Sequence, residues 1–197
     1  GNIGVTFDIQ ITSKDTHLVL ELVKATSDDK IDALVWGPFP TTIGKTIGEI
    51  IGVVRDDQVA LGLQVLNIET LGGDYPNNEG STWFRGIAAL HEPYGSRFQA
   101  YSLNRSKDRK VDAWGGVFKN MPVEALSDSG VVGSKIALFT CAENETLDWL
   151  EQIELAEGLP HPTIDGVWFK KSKVYGKSYM ISSFGEADID EMIDYAK

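Results

Sequence analysis

The chain opens on a strict alternation. In Val5-Thr6-Phe7-Asp8-Ile9-Gln10-Ile11-Thr12 the residues Val5, Phe7, Ile9 and Ile11 fall on one side of an extended backbone and Thr6, Asp8, Gln10 and Thr12 on the other. A period of two predicts a strand with one apolar and one wet face. After the turn-like Ser13-Lys14-Asp15, the run His17-Leu18-Val19-Leu20-Glu21-Leu22-Val23 predicts a second strand. A third, Ile31-Asp32-Ala33-Leu34-Val35-Trp36, is expected to end at Gly37-Pro38, where proline removes a ladder donor. Glycines punctuate the apolar stretch 47–54, and Arg55-Asp56-Asp57-Gln58 separates it from Val59-Ala60-Leu61-Gly62-Leu63-Gln64-Val65-Leu66, which predicts a hairpin.

Further on, 72–81 crowds Gly, Asp, Pro and Asn into a loop. Strands are expected at 83–90, at Arg97-Phe98-Gln99-Ala100-Tyr101-Ser102-Leu103 and across the apolar run 136–142, with the charged cluster 105–112 read as a solvent-facing loop or hairpin end. Helical spacing appears late. From Asn144 as N-cap, Leu147, Leu150 and Ile153 or Glu154 recur on one face until Gly158-Leu159-Pro160 stops the helix. Its acidic residues Glu143, Glu145, Asp148, Glu151, Glu154 and Glu157 read as a solvated face rather than paired catalytic carboxylates. A last strand over 178–184 leads directly into a helix with Ile189, Met192, Ile193 and Ala196 on one side, which together read as half of a βαβ unit.

The expected fold class is therefore mainly β, a β-sandwich with one or two helices, followed by the first strand and helix of an α/β unit. The domain reading is a sandwich module over 1–177 and a truncated second unit over 178–197, with the boundary near Tyr175-Gly176-Lys177.

Composition narrows the possibilities. The 197 residues are 42% hydrophobic and 24% charged, with a formal net charge of -11, which argues against disorder and against a nucleic-acid backbone as partner. No run approaches the roughly 18 apolar residues of a membrane-spanning helix. Cys141 is the single cysteine, so neither an intrachain disulfide nor a thiolate metal cluster is available, and its place in Ala137-Leu138-Phe139-Thr140-Cys141-Ala142 reads as a small core hydrophobe.

Motifs for chemistry are few. Gly44-Lys45-Thr46 has the close of a phosphate-binding loop, but Phe39 stands where its first glycine belongs and two prolines interrupt the loop. There is no HExxH, CxxC, EF-hand or GxSxG pattern, and His17, His91 and His161 are far apart. Asn104-Arg105-Ser106 and Asn144-Glu145-Thr146 match the glycosylation sequon. Aromatic and polar loop residues remain: Trp36, Asp74, Tyr75, Trp83, Arg85, His91, Tyr94 and Trp114. Tryptophan faces backed by hydrogen-bonding groups suit a sugar ring, whose C–H faces are apolar and whose edges are hydroxyls. Trp36 ends a strand and reads as core; Asp74, Trp83, Arg85, His91, Tyr94 and Trp114 are the candidate ligand-binding residues. No cofactor is called for. Calcium would need Asp56, Asp57 and Asp74 gathered with carbonyls.

Three stretches carry a resemblance: 47–54 with Ala60-Leu61-Gly62-Leu63-Gln64-Val65-Leu66-Asn67; Gly133-Ser134-Lys135-Ile136-Ala137-Leu138-Phe139 on through Leu159-Pro160-His161-Pro162; and Phe184-Gly185-Glu186-Ala187-Asp188-Ile189-Asp190-Glu191. With these the chain resembles the N-terminal β-sandwich region of multidomain glycoside hydrolases whose catalytic part is a (β/α) barrel. The resemblance implies a sandwich, with a galactose-mutarotase-like supersandwich as one form of it. It also implies a C-terminal catalytic domain as partner, an oligosaccharide or polysaccharide as ligand, an extracellular or periplasmic location, and catalytic carboxylates on barrel loops outside this module. Glu186 and Asp188, just after the expected first barrel strand, read as negative charge at a helix N-terminus. The expected function is thus a non-catalytic module of a carbohydrate-active enzyme. The alternatives are an independent carbohydrate-binding module and a self-contained enzyme using Asp74, Arg85 and His91.

Overall fold

The N-terminal alternation becomes β1 (Phe7–Ser13), which pairs antiparallel with β2 (Leu18–Ala25). In the computed structural model the described residues are 4–48, 52–73, 89–113, 116–126, 130–175 and 185–196. They belong to two compact units, Gly1–Pro160 and His161–Lys197.

The remaining strands of the first unit are β3 (Ala33–Thr41), β4 (Thr46–Ile47), β5 (Gly52–Arg55), β6 (Val59–Val65), β7 (Thr70–Gly72), β8 (Ala89–Glu92), β9 (Gly95–Leu103), β10 (Arg109–Ala113), β11 (Phe118–Val123) and β12 (Lys135–Ala142). Among the described residues one sheet has six strands in the order β1-β2-β12-β6-β5-β4, and a second has β3-β9-β7 with β8 also paired to β9. All these pairings are antiparallel.

Register decides what the two sheets bury. Ile136 lies opposite both Leu20 and Val65, and Leu138 opposite Leu18 and Leu63, so these side chains share one face of the six-stranded sheet. Leu22, Val54, Leu63 and Ile136 from that face form one buried cluster with Trp36, Phe98 and Ala100 of the second sheet. Two antiparallel sheets meeting over a common apolar core make the β-sandwich that the alternation predicted. The core also contains a polar knot. Trp36 Nε1 donates to Ser134 Oγ at 2.7 Å, while Ser134, Ser102 and Thr70 hydroxyls lie 2.6 to 3.1 Å from one another. A buried indole N–H is thereby satisfied, and Trp36 is core as expected.

On the opposite face of β12 stand Ala137, Phe139 and Cys141, all buried. Helix α1 (Thr146–Glu157) packs on this side through buried Leu150 and Ile153. Burial pushes the Cys141 thiol up from its ordinary value. The expected outcome is that Cys141 reacts with an aromatic disulfide reagent only as fast as the protein unfolds; stoichiometric labelling of the native protein would contradict this placement.

Several expectations change in detail. β3 does not stop at Gly37-Pro38; the strand continues to Thr41 with a register shift between Trp36 and Phe39. Among the described residues β3 lies at the sheet edge, which explains the tolerance, since one side of such a strand needs no ladder donor. The charged cluster forms the start of the β10–β11 hairpin. The helix begins at Thr146 rather than Asn144, after a 3-10 turn at Glu143–Glu145. It stops at Gly158, whose φ of 66° is the left-handed conformation glycine adopts freely. The Asp-Asp hairpin forms as read: Asp56 Oδ1 accepts the Gln58 and Val59 N–H groups, and these bonds lower the Asp56 carboxyl.

In the second unit β13 (Thr163–Ile164) and β14 (Val167–Trp168) form a small hairpin. Its two turn residues, Asp165 and Gly166, have φ of 52° and 76°, the left-handed pair that matches strand twist in a tight hairpin. His161 stacks on Trp168 at 5.8 Å between centroids, and Lys170 Nζ lies 4.9 Å from the centre of the same ring. Helix α2 (Ile189–Ala196) follows a 3-10 turn at Glu186–Asp188. Asp188 Oδ2 accepts the Gly185 N–H at 3.0 Å, the role of negative charge at a helix start. The strand expected over 178–184, and with it the boundary at Gly176-Lys177, lies outside the described residues.

Candidate functional site

The β1–β2 turn and the end of α1 meet in one place. Lys14 N–H donates to the His17 carbonyl at 2.9 Å and closes the turn. This aims the His17 ring inward, where its side chain is 0% exposed and its Nε2 lies 3.1 Å from Glu157 Oε1. A carboxylate oxygen only accepts, so Nε2 carries the proton, and Nδ1 faces Thr16 Oγ1 at 2.9 Å. Lys14 also pairs with Glu157 Oε1, and Lys135 Nζ lies 3.2 Å from Oε2. Both oxygens of a side chain only 3% exposed are thus engaged.

The electrostatics follow from these partners. Burial opposes ionisation of Glu157, but the hydrogen bonds from Lys14, His17 and Lys135 outweigh it and hold the carboxyl at about 2. A carboxylate at a helix C-terminus also opposes the helix dipole, and the two lysines offset that as well. The cluster is therefore a charge-compensated latch joining α1, the β1–β2 turn and β12. A carboxylate so far from neutrality at pH 7 is a poor proton donor or acceptor.

Open space flanks this latch. On one side a cavity of about 390 Å³ lies between the turn, Leu61, Leu138, Phe139 and the half-buried Trp149 of α1. On the other, a cleft of about 630 Å³ runs from the same turn along Gln152, Leu155 and Ala156. Asp15 stands exposed at the rim of both. An apolar wall with an aromatic ring and a few polar groups at its edge is the usual make-up of a small-molecule site.

The residues proposed from sequence map differently. Asp74, Trp83, Arg85 and Trp114 lie outside the described residues. His91 is exposed on β8, and Tyr94 is exposed in the turn that joins β8 to β9, so the structure places these two on one hairpin. Of the calcium candidates, Asp56 caps its own turn and Asp57 pairs with Lys45, while Asp74 is again outside the description. Among the described residues no group of three or more His, Cys, Asp or Glu could hold a metal ion, and no helix is long and apolar enough to cross a membrane.

Reading the acidic residues of α1 as one solvated face missed Glu154 and Glu157, which turn inward. The signal in the sequence was weak: Glu154 follows Ile153 on the packed side, and Glu157 sits one turn further along the same face.

The fold and site together define an antiparallel β-sandwich with one packed helix and a cleft at the helix end. Comparison with family models, with curated proteins and with solved structures finds no match.

Proposed function

We propose that the chain is a non-catalytic β-sandwich module of a carbohydrate-active enzyme, holding saccharide in the cavity beside Trp149 and supporting a catalytic domain elsewhere in the protein. The observation that carries this reading is the make-up of the cavity. Trp149, Phe139, Leu61 and Leu138 offer apolar surface, and Asp15, Thr16 and Thr140 offer polar edges, which suits the two-faced chemistry of a sugar ring. The buried acid beside it, Glu157, is held ionised by three partners and so supplies no general acid for glycosidic cleavage. Support also comes from the resemblance to sandwich regions that precede barrel domains, which would set this module in an extracellular or periplasmic enzyme.

The test is titration of the chain with a panel of oligosaccharides, followed by Trp fluorescence and amide NMR, alongside a reducing-sugar assay. The expected result is weak, saturable binding that perturbs Trp149 and the 14–17 turn, is lost in Trp149→Ala, and is accompanied by no hydrolysis. Hydrolysis by the isolated chain would overturn the non-catalytic reading. A panel with no binding at all would overturn the saccharide assignment.

A further inference from the structure

The apolar face of β1 is on the core side of its sheet, yet among the described residues it stays exposed. Ile9 pairs with Leu22 and Ile11 with Leu20, so Phe7, Ile9 and Ile11 share the face that forms the sandwich core. Among the described residues the second sheet is narrower than the first. Phe7, Ile9 and Ile11 remain 43%, 49% and 66% exposed. β1 is also the end of its sheet, hydrogen-bonded among the described residues to β2 alone.

Proteins usually blunt such an edge with proline, an inward-facing lysine or a bulge. β1 has none of these within Phe7–Ser13. The register shift beside Asp8 and Ile9 places the extra residue, Val23, on β2, which leaves the alternation of β1 unbroken. The strand is moreover self-complementary. Antiparallel pairing with a second copy about Ile9 sets Ile9 against Ile9, Phe7 against Ile11, and Asp8 against Gln10. Aromatic and β-branched residues then meet on the apolar face, and no like charges are opposed. A shift that centres the pairing on Asp8 would set the two carboxylates together, and like charges directly opposite are destabilising.

We infer that β1 is a self-association edge: two copies of this chain pair β1 to β1 antiparallel about Ile9, extending the six-stranded sheet across a two-fold axis. The partner is a second copy because the strand's own order of apolar, polar and charged residues supplies the complement. A single strand pair falls at the small end of specific interfaces, below roughly 1,200 Å², and each copy carries a net charge of -11. The dimer is accordingly weak, and it tightens as salt screens the repulsion.

Sedimentation equilibrium from micromolar to millimolar protein, at low and high salt, tests this. The expected result is a reversible monomer–dimer equilibrium that strengthens with salt and disappears in Ile11→Lys, with the circular dichroism and melting of that variant unchanged. In Ile9→Cys, oxidation should link two chains through the axis residue, since the native Cys141 is buried, whereas Asp57→Cys on another exposed surface should not. A monomer at every concentration and salt, a dimer that survives Ile11→Lys, or Ile9→Cys linking no faster than Asp57→Cys would each overturn the proposal. Should Ile11→Lys fail to fold, the comparison of the two cysteine variants decides alone.

Discussion

Replacing Glu157 by glutamine is expected to lower the unfolding free energy by about 3 kcal/mol at neutral pH, the worth of moving a carboxyl from 4.5 to about 2 on folding. The sign follows from the direction of the shift. The folded-state value is depressed, so the stabilisation is fully present above 4.5 and is lost as pH falls toward about 2. Urea melts of the two proteins at stepped pH should therefore differ most at neutrality and converge in acid. The variant leaves Lys14, Lys135 and His17 around a neutral amide, and removing one member of a buried charged cluster is costly for that reason. Equal stability of the two proteins at pH 7, or a gap that persists at pH 2, would mean that the cluster does not hold α1 to the β1–β2 turn.

The second large effect is expected at Gly62. This residue lies on β6 directly opposite Phe139 of β12, and a Cβ added to it would clash with the Cε1–Cζ edge of the Phe139 ring. Phe139 is buried, so Gly62→Ala forces the ring off its packing position and should cost about 1–3 kcal/mol. A double-mutant cycle separates the steric cause from any general weakening of the strand: Phe139→Leu in the Gly62→Ala background should recover most of the loss. Additive losses in denaturant melts would show that the two positions do not compete for the same space.

Both effects mark where sequence reasoning runs short. Gly62 looks like a flaw in an otherwise apolar strand until β12 sets an aromatic ring against it. That pairing joins residues 62 and 139, and no local pattern predicts which side chain will stand opposite a given glycine. Glu157 is similar: six acidic residues of one helical region look alike along the chain. The two that turn inward are chosen by how Leu150 and Ile153 seat the helix on β12.

The candidate site found among the described residues was not legible in the sequence. An aromatic surface rimmed by polar groups was expected, but around Trp83 and Trp114, which lie outside the described residues. The cavity among the described residues is lined by Trp149 and the 14–17 turn. Those residues are more than a hundred positions apart, and an antiparallel sheet with a packed helix is needed to bring them together.

What the sequence determined by itself is local. Period-two alternation specified β1 and β9 and, for β1, which face is apolar; the apolar run 136–142 specified β12, and the Asp-Asp turn and Gly158 specified a hairpin and a helix end. These follow from backbone sterics and side-chain direction, which neighbouring residues set. Tertiary structure alone decided the rest: that His17 and Glu157 meet across 140 positions, and that among the described residues the apolar face of β1 extends past the second sheet. Burial is a property of what lies opposite, and the alternation of a strand states which face is apolar without stating whether anything reaches it.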